Sequence, residues 1–372
     1  MKKIEFIFQE NPEAGKLYEI TEGVFWFPMP LPMMGPDYVN CYVLEDGQDI
    51  ALVDTGVNIG DCKNIWETML SKNFPKKKIS NIYVTHHHPD HIGLAGWLCE
   101  KYSAEMICSR TAYLMAKMLS LDVHEKVSSS TELFWRQAGM SNEMLEEKLS
   151  TRPFNFGDGV SPLNKGFIRI TENEIITING VEWTVSMGNG HAPEHATLWS
   201  NELNLVLAGD QVIAGISSNL GVYPTEPNAD TVGDWIISCE KFLKLASDKH
   251  VVLPGHGRPF SGLPQRLVQL IENHKAALKR IKVDLRSRPK TAVELFKTIF
   301  KRDINKREYL LALHEAVGHV NHLYKTGLVN RDVRPDGAYI FELKNLVVVL
   351  LLDKRLRKYL RAQTGLFVLR EL

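Results

Sequence analysis

The sequence predicts a mixed α/β (α+β) fold: two β-sheets packed as a sandwich with helices outside, followed by a small helical domain. Three observations carry that prediction. Short apolar runs of strand type cluster in two stretches, residues 17 to 108 and 174 to 253. Helical patterns accompany both, so each half has the makings of a sheet with helices against one face. In both halves the polar, chemistry-bearing residues fall at strand ends, where loops on a rigid scaffold present side chains.

In chain order, Leu17 to Ile20 and Val24 to Phe27 are the first strands. A Pro- and Met-rich loop, Pro28 to Pro36, precedes Val39 to Leu44. That strand pairs with Asp49 to Asp54 across Glu45-Asp46-Gly47-Gln48, a turn of Asp-Gly type longer than the two-residue ideal. Asp54-Thr55-Gly56 suits either a capped turn or a carboxylate that steadies a neighbouring loop. Residues 60 to 73 place Ile65, Trp66, Met69 and Leu70 on one helical face. Asn81 to Val84 is a buried strand, Ile92 to Leu98 starts a helix, and Ala104 to Cys108 is another strand. Residues 111 to 150 are helical and carry Met115, Met118, Phe134, Trp135, Met140 and Met144. Ordinary amphipathic packing is the first reading of that stretch, and an apolar lid over a site is the second. In the second half, Glu174 to Ile178 and Val181 to Val185 flank Asn179-Gly180, a two-residue hairpin signal. Thr197 to Ser200 and Leu203 to Ala208 form another hairpin, residues 230 to 247 a helix, and Val251 to Leu253 a short strand.

Composition narrows the class of protein. The 372 residues carry 44 Lys+Arg against 44 Asp+Glu, so the overall charge offers no case for a nucleic acid or a membrane surface. Cys41, Cys62, Cys99, Cys108 and Cys239 are scattered and form no Cys-x-x-Cys pair, which argues against a disulfide framework and a thiolate metal site. A reducing, cytoplasmic setting follows as the expectation. Met1-Lys2-Lys3-Ile4-Glu5 lacks the apolar core of a signal peptide, and the longest aliphatic run, Leu346 to Leu352, is too short to span ~30 Å of hydrocarbon.

The densest chemistry is His86-His87-His88-Pro89-Asp90-His91, between a strand and a helix. Imidazole suits zinc, iron and related ions, and a carboxylate among histidines is a common addition. A solvated His-rich loop is the alternative for this segment alone. Three glycine-flanked strand-end motifs then add His191 (Gly188-Asn189-Gly190-His191), Asp210 (Gly209-Asp210) and His256 (Pro254-Gly255-His256-Gly257). Each alone reads as a turn with an incidental polar residue. Together, five histidines and two aspartates in strand-end loops point to a metal site. His87 and Pro89 shape the loop. Glu194 and His195 read as packing or hydrogen-bonding residues with substrate binding as the alternative, and Asn219 and Tyr223 are candidate substrate contacts on a loop.

This ordered set resembles the metallo-β-lactamase superfamily over roughly residues 15 to 262, with His-x-His-x-Asp-His as its strongest element. The resemblance implies a four-layer αββα sandwich with metals at one sheet edge. It implies one metal on His86, His88 and His191, a second on Asp90, His91 and His256, and Asp210 bridging the two. Asp54 would stand behind them. The cofactors so implied are two divalent ions, zinc first, with iron or manganese as alternatives. A metal-bridging hydroxide would attack a small ester or thioester, with Asp90 orienting it or taking its proton. His88 stands where diiron oxygen reductases of the family usually have Glu, which favours hydrolysis. Cleavage of RNA or another phosphodiester is the alternative.

Residues 263 to 284 read as a linking helix, 285 to 343 as a helix–helix–hairpin unit, and 344 to 372 as a basic tail. The middle unit resembles the winged-helix domain of glyoxalase II-like metallo-hydrolases. A winged helix suggests a DNA-binding regulator as a further alternative. Its second helix, however, carries Glu308, His314, Glu315 and His319 rather than an Arg/Lys stripe, so packing beside the active-site mouth or a homodimer contact is favoured over nucleic acid. His314, His319 and His322 are expected to be core or interface residues.

Overall fold

The computed structural model describes residues 3–32 and 37–344. Part of the Pro- and Met-rich loop, and the basic tail beyond Lys344, lie outside the described residues.

The chain opens with a short strand β1 (Glu5–Phe6), then an antiparallel meander of β2 (Tyr18–Thr21), β3 (Val24–Pro30), β4 (Tyr38–Asp46) and β5 (Asp49–Val53). The β4–β5 turn is tighter than the sequence suggests. Asp46 pairs with Asp49, which leaves two residues in the loop, and Gly47 takes the positive φ of +63° that such a turn needs. Helix α1 (Cys62–Asn73) leads to β6 (Ile79–Tyr83). A single helical turn, α2 (Pro89–Ile92), and α3 (Ala95–Tyr102) lead to β7 (Glu105–Cys108). Helices α4 (Arg110–Leu121), α5 (Ser129–Ala138) and α6 (Asn142–Leu149) follow, each N-capped by a serine side chain, Ser109, Ser128 and Ser141. With β8 (Ile168–Arg169) the first sheet runs β2-β3-β4-β5-β6-β7-β8, parallel from β5 onward.

The second sheet mirrors this plan. β9 (Ile175–Ile178) and β10 (Val181–Gly188) are joined by Asn179-Gly180, with φ of +51° and +77°, as the hairpin signal predicts. β11 (His195–Ser200), β12 (Leu205–Gly209), α7 (Thr231–Leu245), β13 (Val251–Pro254) and β14 (Phe260–Ser261) complete it. The order is β1-β14-β13-β12-β11-β10-β9, with β12 and β13 parallel. The C-terminal unit is α8 (Leu263–Asp284), a 3₁₀ turn running into α9 (Phe296–Phe300), α10 (Tyr309–Lys325), and a hairpin of β15 (Val329–Val333) and β16 (Tyr339–Leu343).

Three apolar clusters hold four layers together. Trp26, Tyr42, Trp183, Leu198 and Leu253 fill the space between the sheets. Trp66, Ile82 and Leu98 lie under α1 and α3 on the outer face of the first sheet. Phe242, Leu267 and Leu278 cover the outer face of the second. That last cluster continues without a break into Leu313, Val320 and Phe341 of the C-terminal unit and Phe134 and Trp135 of α5. The linking helix α8 is therefore part of a shared core. Packing, not a lid, is what α5 and α6 supply. Helix α4 turns Leu114, Met118 and Leu121 to solvent.

The C-terminal unit is locked on by polar contacts as well. Gly318 sits mid-helix in α10, where glycine costs about 1 kcal/mol relative to alanine, and a Cβ there would come within 2.7 Å of the Leu220 carbonyl and 2.6 Å of Thr231 Oγ1. Its absence lets α10 lie directly on the 218–222 loop, where Val222 donates its N–H to the His314 carbonyl at 3.1 Å. Asp230 caps α7 through the Gly233 N–H at 2.9 Å and pairs with His322 of α10 at 2.9 Å. Although burial opposes the charge, these partners hold the Asp230 carboxyl below its ordinary range. A depressed carboxylate contributes stability at neutral pH that fades as pH falls through its folded-state value. Asp230→Ala removes a cap and a partly exposed charge-assisted bond, so it should cost about 2 kcal/mol at pH 7 in a denaturant melt. The difference from wild type should shrink in acid.

Candidate metal centre

The loops that carry the candidate residues converge because strand ends converge. Open sheets present ligand sites beyond the carboxyl ends of parallel strands. Asp54 follows β5, His86 to His88 follow β6, Asp210 follows β12 and His256 follows β13. His191 lies between β10 and β11. Asp90 and His91 are not on the loop, as the sequence suggests, but in α2. Pro89 starts this turn at a position that needs no N–H donor, and the turn then aims Asp90 and His91 back at the cluster.

All of the candidate ligands meet around one point. His86 Nε2 lies 3.1 Å from His88 Nδ1 and 3.3 Å from His191 Nε2. Asp90 Oδ2 lies 3.1 Å from His256 Nε2 and 3.7 Å from His91 Nε2. Asp210 reaches His91 through Oδ1 at 3.4 Å, and His191 and His256 through Oδ2 at 3.4 Å each. Two nitrogens bound at 2.0–2.1 Å to a tetrahedral ion stand about 3.3–3.4 Å apart. These spacings match the edges of a coordination polyhedron. His91 Nε2 and Asp210 Oδ1 are buried and make no hydrogen bond, which is costly for bare donors and acceptors unless a cation lies among them.

The far side of each ring fixes its tautomer. His91 Nδ1 is 2.7 Å from Asp54 Oδ2, His191 Nδ1 is 2.9 Å from the Asn219 carbonyl, and His256 Nδ1 is 2.9 Å from the Tyr38 carbonyl. Each Nδ1 therefore carries a proton, which leaves Nε2 as the nitrogen that faces the centre and can bind an ion. Burial, and then the neighbouring imidazoles, hold His86 and His88 well below the ordinary histidine value. Burial also opposes charge on His91 and His256, but the Asp210 and Asp90 carboxylates outweigh it. They raise His91 well above normal and His256 to about 10. Burial opposes charge on Asp210 too, and His256 and His91 hold it down as a carboxylate. The pocket is thus poised for positive charge.

The surroundings are built with little slack. Asp54, at φ +58°, accepts the N–H and hydroxyl of Thr85 at 2.8 Å each besides His91. Its turn role and its supporting role are the same conformation. A Cβ on Gly255 would land on Asp210 Oδ1 and within 2.7 Å of His91 Cε1. His195 is fully buried, stacks on His86 with centroids 4.5 Å apart, and accepts the Asp210 N–H at 3.1 Å. That is a supporting role that one-dimensional spacing does not reveal. Glu194 accepts the Thr111 N–H at 3.0 Å and Tyr223 packs on His314, and neither lines the cleft beside the centre. His87 is pushed down to about 3 by burial and packs beside Phe156.

The centre opens into a cleft of about 910 Å³, lined by His191, Asp210 and His256 on one side and by α8, α9 and α10 on the other. No residue of 111 to 150 lines it, so the wall expected from that stretch is supplied instead by the C-terminal unit. Asn219 joins the two sides. Its carbonyl holds His191, and its amide donates to Glu315 at 3.0 Å and to the Leu311 carbonyl at 3.2 Å.

Residues 34–256 match the Metallo-beta-lactamase superfamily, and residues 278–344 match the Metallo-beta-lactamase-like, C-terminal domain. The chain belongs to the metallo-β-lactamase superfamily. It is 23% identical over 314 residues to "Probable metallo-hydrolase YqjP" of Bacillus subtilis (strain 168), covering 82% of this chain and 92% of that one. A crystal structure of a beta-lactamase domain protein from Burkholderia ambifaria superimposes with a TM-score of 0.83 at 28% identity, covering 92% and 98% of the two chains. A metallo-beta-lactamase family protein from Thermus thermophilus gives 0.72 at 25% identity, covering 88% of this chain and all (100%) of that one. The family and the His/Asp cluster suggest divalent metal ions.

Asp54→Ala tests the support. It strips the buried Thr85 N–H and His91 of their partner and should cost about 3–5 kcal/mol in chemical denaturation of the metal-free protein.

Proposed function

We propose that the chain is a metal-dependent hydrolase of a small ester or thioester, with two divalent ions, zinc first, at this centre. The observation that carries the reading is the pair of orphaned atoms, His91 Nε2 and Asp210 Oδ1, buried within a ring of metal-competent groups at the floor of a substrate-sized cleft. His86, His88 and His191 would hold one ion, Asp90, His91 and His256 the other, with Asp210 between them. Ions so held supply Lewis-acid charge for a developing oxyanion and a water acidic enough to act at neutral pH. Asp90 is the more exposed carboxylate of the centre, 19% against 8% for Asp210, and is the one suited to orient that water and accept its proton. The remaining residues bind and exclude. The far wall carries Arg280, Lys301, Arg302 and Arg307 against Glu308 and Glu315, and Arg302 is paired with Glu308 at 2.6 Å. That balance favours an acyl compound bearing an anionic group.

The helix–helix–hairpin unit acts as a wall of the site rather than as a reader of DNA. Helix α10 buries Leu313, Ala316, Val317 and Val320, and its Gly318 touches the 218–222 loop, so its surface is committed to the chain's own core. Among the described residues no helix is long and apolar enough to cross a membrane, and all five cysteines are free and buried.

The test is a chelator-stripped enzyme reconstituted with zinc, iron or manganese and offered thioesters, lactones, phosphodiesters and RNA. Metal-restored hydrolysis of an ester or thioester is the expected result, and turnover confined to RNA or phosphodiesters would replace the lead reading. Asp210→Ala should lower kcat/KM at least about 100-fold, and Asp54→Asn should weaken metal affinity about 10–100-fold, read by competition with a chromophoric chelator.

A further inference from the structure

A second cluster of metal-competent groups stands in the opposite wall of the cleft. His274 lies on α8, and Glu315 and His319 lie one helical turn apart on α10. His274 is 3% exposed and His319 is 1% exposed. One donor atom from each of the three residues lies within 4.8 Å of the others.

The ring geometry repeats that of the first centre. His274 Nδ1 faces His319 Nε2 at 3.4 Å, long for a hydrogen bond and equal to the edge, about 3.3–3.4 Å, between two nitrogens on a tetrahedral ion. The other nitrogen of each ring is engaged outward. His319 Nδ1 lies 2.9 Å from the Glu315 carbonyl, which can only accept, so Nδ1 holds the proton and Nε2 is a bare lone pair. His274 Nε2 lies 3.0 Å from Ser217 Oγ, which can accept its N–H and leave Nδ1 bare as well. Carbonyl and hydroxyl partners on the far nitrogen are the usual accompaniment of metal-bound histidine. Burial keeps both rings neutral, with His274 at about 3 and His319 at about 4. The Glu315 carboxyl is raised to about 7 by burial, relieved only by the Asn219 amide. Among the described residues no cationic side chain pairs with it, and its side-chain partner is the Asn219 amide at 3.0 Å.

We propose that His274, Glu315 and His319 form a separate divalent-cation site of zinc type in the C-terminal wall of the cleft. Two imidazoles and one carboxylate are a donor set that suits zinc and leaves a coordination position open. All three residues line the cleft, so that position is available to an oxygen of a bound ligand. The ion would also neutralise the Glu315 carboxylate and cross-link α8 to α10. Without it, two ring nitrogens face each other at 3.4 Å, either as two bare lone pairs or, if Ser217 donates to His274 Nε2, as a long N–H···N contact, and Glu315 stays uncompensated. The proposal does not depend on how many ions occupy the first centre.

The test counts zinc on the full chain by elemental analysis after stripping and reconstitution. His319→Ala should bind one ion per chain fewer than wild type. Glu315→Gln, which keeps the shape and a partner for Asn219, should hold that ion at least about tenfold more weakly. A first-centre variant, His86→Ala with His256→Ala, should retain one ion, and cobalt in it should show the visible bands of a tetrahedral site. If that variant holds no ion, or if wild type and His319→Ala take up equal amounts at equal affinity, the proposal is wrong and the rings are only hydrogen-bonded. Failure of the first-centre reading would look different, because wild type and the first-centre variant would then hold the same number of ions.

Discussion

The structure turns on one unfavourable arrangement: lone pairs and carboxylates gathered in a buried space and aimed at each other. His91 Nε2 and Asp210 Oδ1 have no hydrogen bond there, and Asp210 stands 3.4 Å from each of three imidazoles. Such groups relax away from one another unless the surrounding structure holds them or a cation joins them. The surrounding structure does hold them. Asp54 in a left-handed turn fixes His91, the Tyr38 carbonyl fixes His256, and the Asn219 carbonyl fixes His191. Asn40 braces the His256 loop by donating to the Pro254 and Gly257 carbonyls at 2.8 and 2.7 Å. These braces come from β4 and the turn after β5 in the first sheet and from the loop after β12 in the second half, so the sandwich must be assembled before the centre exists.

That dependence explains what can be read in one dimension. Strand periodicity and the Asn179-Gly180 turn are local, and both appear in the structure as predicted. The candidate ligands are legible because each sits beside its own turn chemistry, Pro89 at the start of α2 or glycines beside Asp210 and His256. The two-residue strands β1, β8 and β14 are not, because they are too short to show a period and are defined by their partners. His195 passes for a bystander in the sequence, since stacking on His86 depends on the β10–β11 register. The turn into α2 is hidden by the histidine run, which has no helical pattern of its own.

The C-terminal wall is the least legible part. Nothing in the spacing of His274 relates it to His319, 45 positions away, and only the crossing of α8 and α10 brings them together. Three histidines on α10 look like one group in the sequence, yet they serve three ends. His314 packs against Phe134 and Tyr223, His322 pairs with Asp230, and His319 alone turns to the cleft and His274.

Asn219 shows why the wall and the centre behave as one unit. A histidine offers its Nε2 lone pair only while its Nδ1 proton is engaged elsewhere, and for His191 that engagement is a backbone carbonyl in a loop. A loop carbonyl is a loose support unless the loop is itself held. Here the same residue's amide is bound to Glu315 and Leu311, and the next turns are pressed beneath α10 at a position where only glycine fits. The C-terminal helix therefore helps set the orientation of a ring in the first centre while also forming the surface that faces it. A unit joined through a continuous apolar core and through the support of His191 does more than cap the cleft. It fixes the distance across which any bound molecule must reach from Asp210 and His256 to α10.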